Sequence, residues 1–146
     1  MTARLTGIAR VRELRAPLEQ LDAATVSVVD GIEGDARGRK PGRQVSIVFK
    51  EGWENACRDL GATLPWTARR ANLCVEGLDF PHQTGWRMKI GEAVLEVTME
   101  TEPCQLMDRA HFGLRKAMVP EWRGGVCCNV IEGGRIALGD AVRILD

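Results

Sequence analysis

The chain is predicted to fold as a mainly β, barrel-like domain with a few helices packed outside the sheet. Three observations carry this expectation. Apolar and polar residues alternate at period 2 in most segments, short Gly-rich turns separate those segments, and only two stretches repeat at the 3.6-residue period of an amphipathic helix. Counting segments gives about eight strands and two helices, a ratio suited to a closed or nearly closed sheet with helices outside.

The 146 residues are enough for a single domain with a real hydrophobic core. Lys+Arg and Asp+Glu both number 20, so the formal net charge is zero. That balance argues against a nucleic-acid or anionic-membrane surface built on global charge. The N-terminus has no apolar h-region, and no long uncharged apolar run follows, so no signal peptide or membrane span is expected. The cysteines at 57, 74, 104, 127 and 128 are odd in number and lack a Cys-x-x-Cys pair. They form neither a disulfide framework nor a structural zinc pattern, and reduced thiols in a cytoplasmic protein are the simplest expectation.

Taken in order, Arg4–Leu14 and the β-branched Thr25–Val29 read as strands, the second ending in the Asp- and Gly-rich turn Asp30–Asp35. The loop Ala36–Arg43 gathers Arg37, Arg39, Lys40 and Arg43 around two glycines and a proline. It reads either as an anion-binding loop or as a solvated one, and charge runs of this kind more often face water. Gln44–Phe49 is a strand. Glu51–Leu60 is a helix with Trp53, Ala56, Cys57 and Leu60 on one face, closed by Gly61, which makes Cys57 a core residue.

Arg69–Val75 is read as a strand whose Arg70, Asn72 and Cys74 share one face, meeting solvent or lining a site. Gly77–Gly85 is a loop whose His82 is expected in solvent. Arg87–Ile90 and Ala93–Thr98 pair as a hairpin. After the next helix, Arg123-Gly124-Gly125 makes a tight basic turn where backbone can approach a ligand. Val126–Ile131 is a strand whose adjacent Cys127 and Cys128 point to opposite faces, and Arg135–Leu138 and Ala141–Leu145 complete the sheet.

Cys104 is the residue singled out for chemistry. Pro103 suits the first position of a helix running to about Met118, which places Cys104 among unpaired N–H groups at the positive end of the dipole. Such a position favours a thiolate, the form that attacks electrophiles, carries sulfur and binds metals. A packed, inert thiol is the competing use, and the neighbouring carboxylate of Glu102 opposes ionisation. His111 lies seven residues on, roughly 10 Å along a helix, so a Cys–His dyad on one helix is rejected.

An ordered set of short stretches resembles the MOSC domain, the family named after the C-terminal domain of molybdenum cofactor sulfurase. The stretches are Gly34-Asp35, Arg43-Gln-Val-Ser46, Arg70-Ala-Asn-Leu73, Gly91 before an alternating strand, Pro103-Cys104, Arg123-Gly-Gly-Val126, and Gly134 with Ile136 and Gly139-Asp140. The resemblance implies a MOSC-type β-barrel. It also implies a cysteine, here Cys104, that carries persulfide sulfur or ligates molybdenum, and a molybdenum cofactor (molybdopterin) held by Arg70 and Asn72. Arg43, Arg123 and Gly124 join them as candidate cofactor-binding positions. A cysteine desulfurase or a molybdenum enzyme is the partner it implies, whereas pyridoxal phosphate is not expected on this chain. Plain anion or partner binding, and molybdenum-dependent reduction of N-hydroxylated compounds, are the competing functions. Arg37 stands where many members carry histidine.

Overall fold

The computed structural model describes residues 2–146. In chain order the strands are β1 (Ala3–Arg10), β2 (Glu19–Gln20), β3 (Ala23–Ser27), β4 (Gly31–Ile32), β5 (Val45–Phe49), β6 (Leu73–Glu76), β7 (Arg87–Ile90), β8 (Ala93–Glu100), β9 (Val126–Glu132), β10 (Gly134–Ala137) and β11 (Ala141–Leu145). The helices are α1 (Lys50–Leu60), α2 (Leu106–Ala110) and α3 (Leu114–Ala117), with 3-10 turns at Trp66–Arg69 and Pro120–Trp122.

Strands pair in the order β11-β7-β8-β9-β5-β6-β1, and β1 returns to β11 through Ala3↔Val142, closing a seven-strand barrel. Among the described strands only β5 and β6 run parallel. Parallel neighbours need a crossover, and α1 supplies it. β10, β3 and β4 form a separate three-stranded sheet.

Two apolar cores result. Alternate residues of the barrel strands, among them Leu5, Ile47, Leu73, Met88, Ile90 and Cys128, fill the interior and are essentially inaccessible. Trp53, Ala56 and Cys57 of α1 meet Cys74, Met107, Leu114 and Met118 in a second core between barrel and helices. Each fully buried Leu, Ile or Met contributes about 1.5–3 kcal/mol.

Cys57 is buried, as its helical spacing predicts. β2 and β4, of two residues each, are too short to leave a periodic signal in the sequence. Two larger expectations are corrected. Arg69–Val75 is not one strand: residues 66–69 form a 3-10 turn, Arg70 adopts a left-handed φ of 59°, and β6 begins only at Leu73. Cys74 therefore packs in the outer core with Trp53 instead of sharing a face with Arg70. The helix expected over 104–118 is broken into α2 and α3 around Gly113, whose φ of 88° a side-chain-bearing residue rarely adopts.

Asn72 braces the barrel where its strands diverge. Its Nδ2 donates to the Ala9 carbonyl at 3.1 Å, and its Oδ1 accepts from the Ser46 backbone N–H at 3.0 Å and the Ser46 hydroxyl at 3.3 Å. Those bonds tie β1 to β5 through one 2 % exposed side chain. Asn72→Ala leaves the Ala9 carbonyl and the Ser46 N–H unsatisfied, with an expected loss of about 2–4 kcal/mol of stability in denaturant unfolding. An unchanged midpoint would show that Asn72 is not a structural brace.

Candidate functional site

Three adjoining cavities of about 890, 790 and 500 Å³ open on one side of the barrel, and Arg69 lines all of them. The chain reaches this junction through local features that the side chains explain. A register shift in β8 between Val97 and Met99 bends the strand end. Thr101 then bonds the Gly125 carbonyl through its backbone N–H and approaches the Cys127 Sγ through its hydroxyl at 3.3 Å. Gly124 packs directly under this segment, where a Cβ would collide with the Thr101 carbonyl. The Gly124 carbonyl accepts a 3.0 Å bond from Arg69 Nε.

Arg69 is the electrostatic centre. Only 8 % of it is exposed, its Nη2 is buried without a hydrogen-bond partner, and no carboxylate among the described residues pairs with it. Burial pushes the Arg69 guanidinium below its ordinary value; the thiols of Cys127 and Cys104 oppose that shift and Arg37 reinforces it. A guanidinium stays charged regardless. Around it, Arg15, Arg43, Arg70, Arg109 and Arg115 line the cavities without a carboxylate partner among the described residues. A locally basic groove therefore sits on a chain of zero net charge.

Cys104 is exposed and lines both the 890 and the 790 Å³ cavities. It lies before α2, in a turn where Met107 N–H donates to its carbonyl at 3.0 Å. α2 has five residues, so the extended helix dipole expected behind this thiol does not exist. Cys127 shares the larger cavity with Cys104, a neighbour that separation in sequence concealed. The alternation of adjacent cysteines was the available signal: Cys128 is buried inside the barrel, and Cys127 faces the groove.

The other predicted residues divide. Arg43 and Arg70 reach the groove, and Arg70 Nη2 also holds the Ala16 carbonyl at 2.7 Å. Asn72 touches the 500 Å³ cavity, but both ends of its amide are engaged by protein groups. Arg123 does not line these cavities. It pairs with Asp59 at 2.6 Å and donates to the Ala117 carbonyl, pinning α3 to α1. Gly124 likewise serves by supplying the Arg69 acceptor and by close packing. Arg37 bonds Asp35 Oδ1 and the Arg70 carbonyl, so its charge is partly spent on holding the wall. His82 is exposed but stacks on Trp122, with ring centroids 5.7 Å apart. Arg69, Arg109 and Arg115 were missed because exposure and pairing of a cation are tertiary properties.

A family model for the MOSC domain matches residues 35–143. The chain belongs to the MOSC-domain family. Solved structures agree on the fold. The YuaD protein from Bacillus subtilis superposes with a TM-score of 0.80 at 21% identity, covering 99% of this chain and 96% of that one. YiiM from Escherichia coli gives 0.72 at 18% identity, covering 98% of this chain and 70% of that one. YiiM from Geobacillus stearothermophilus gives 0.70 at 16%, with coverages of 99% and 74%. No curated protein matches the chain. Among the described residues of this MOSC domain no helix is long and apolar enough to cross a membrane, and no cluster of three or more His, Cys, Asp or Glu forms a metal cage.

A buried, unpaired cation costs the free protein several kcal/mol, so Arg69→Met should leave this MOSC domain as stable as the parent or up to about 1–4 kcal/mol more stable. Equilibrium unfolding in urea checks this. A marked loss of stability would mean that Arg69 supports the fold rather than a ligand.

Proposed function

We propose that this MOSC domain binds the phosphorylated pterin of the molybdenum cofactor in the arginine groove, with Cys104 as the thiol that carries sulfur to it or ligates its metal. The observation that carries this reading is the unpartnered, nine-tenths buried Arg69 guanidinium at a junction that Cys104 also lines. A phosphate supplies the acceptors such a guanidinium lacks, and planar N–H donors match phosphate oxygens better than a lysine would. Arg43 and Arg70 add further donors along the same walls. The donor set fits the group: guanidiniums suit its phosphate, and a soft thiol suits molybdenum or sulfane sulfur.

The residues of this chain have separable tasks in that reading. Arg69, with Arg43 and Arg70, binds and orients the anion. Thr101 and Gly124 position the segment that presents Cys104, through the Thr101–Gly125 backbone bond and the close packing of Gly124. Molybdenum, when bound, supplies a redox-active centre with soft-ligand affinity; the protein supplies the anion receptor and the thiol. A cysteine desulfurase as sulfur donor or a molybdenum enzyme as recipient is the matching class of partner.

Protein made in a host that synthesises the cofactor provides the test. The oxidised, fluorescent pterin released on denaturation should approach one per chain for the parent and fall at least about tenfold for Arg69→Met, reflecting the loss of a charge-assisted contact. Absence of pterin from the parent would contradict the reading. Cys104→Ser should retain pterin but lose metal or labile sulfur; retention of all three would contradict the role given to Cys104.

A further inference from the structure

The two larger cavities that meet at Cys104 differ in character. The 890 Å³ one is lined by Arg43, Thr101, Glu102 and Cys127, whereas the 790 Å³ one lies between the 11–15 segment and α2 and presents Val11, Leu14, Ala68 and Ala110, with Leu106 on the wall that the two share. Leu14 and Leu106 are 72% and 55% exposed, an unusual display of leucine on both walls of one cleft. Arg15, Arg70 and Arg109 rim the same cleft without carboxylate partners among the described residues. Its backbone is also strained. Arg15 and Arg70 both adopt left-handed φ values, 67° and 59°, and the Arg70 guanidinium clamps the carbonyl of Ala16, next to Arg15. Strain of this kind persists where surrounding structure enforces it, and it clusters at ligand clamps.

We infer that this apolar cleft is a second binding compartment, distinct from the cofactor arm, which takes a small compound carrying a flat apolar ring and one anionic group. The ring lies between Leu14 and Leu106, and the anion turns toward Arg15 and Arg109, the two cleft cations that the cofactor phosphate does not engage. A volume of about 790 Å³ falls within the range of small-molecule sites. Cys104, exposed at the junction, then stands between what the cofactor arm holds and this second ligand, which is the placement an acceptor or substrate needs. The inference rests on the anion-receptor reading of Arg69, which places the first ligand on the other side of Cys104.

Calorimetric titration of the full chain with 1-naphthyl phosphate and with inorganic phosphate separates the two ideas. Naphthyl phosphate should bind at least about tenfold more tightly than phosphate, because the ring buries apolar surface that phosphate lacks. Leu14→Ser/Leu106→Ser, both changes at exposed positions, should erase that preference and leave phosphate affinity unchanged. Equal affinity for the two ligands, or a preference that survives the double substitution, overturns the second compartment while the anion receptor stands. A leucine-dependent naphthyl phosphate signal without any phosphate binding supports the compartment and overturns the anion receptor. No binding of either compound overturns both.

Discussion

The groove depends on one uncompensated charge. Arg69 is enclosed by the barrel wall, held through Nε by the Gly124 carbonyl and left without a carboxylate, and its buried Nη2 bonds nothing among the described residues. Burying a cation on these terms is unfavourable unless something from solution relieves it. The surrounding architecture serves that placement. Gly124 must lack a Cβ to pass beneath Thr101, β8 shifts register between Val97 and Met99 on its way to that segment, and Asn72 ties β1 to β5. Arg123, which resembles a ligand-binding cation in sequence, instead spends its charge on Asp59 to fix α3 against α1.

Sulfur is distributed by the same geometry. Cys57 and Cys74 fill the core between barrel and helices, and burial pushes the Cys74 thiol up, away from reactivity. Cys128 lies inside the barrel, where burial raises it further. Cys104 and Cys127 alone line the groove, both close enough to Arg69 to influence it electrostatically. Of five cysteines, then, the fold assigns three to packing and two to one cavity, and only Cys104 is exposed.

Much of the fold was legible because the strands are amphipathic and the turns carry glycine. β5, α1, β7, β8, β9 and β11 all lie where periodicity places them. Prediction failed where short-range pattern and tertiary bonding disagree. Residues 69–75 alternate like a strand, yet Pro65, the Thr67–Arg70 bond and the Asn72 contacts with Ser46 form a turn first. Residues 104–118 repeat like one helix, but Gly113 breaks it, and the dipole invoked for Cys104 vanishes with the break. The candidate site was half legible. Chemistry marked Cys104, and family likeness marked Arg43 and Arg70, but Asn72 shows that a polar residue beside a cavity can belong to the scaffold. Arg69 was invisible because nothing in a sequence reveals that a charge has no partner.

Whether Arg69 receives an anion decides what the groove is for. Crystals soaked in tungstate, a heavy tetrahedral dianion, test this directly through anomalous diffraction. A tungsten peak with oxygens within hydrogen-bond reach of Arg69 Nη2, on the side of the groove that Cys104 lines, is the predicted result. A groove that takes up no tungstate while Arg69 Nη2 bonds a protein carbonyl or carboxylate would contradict it.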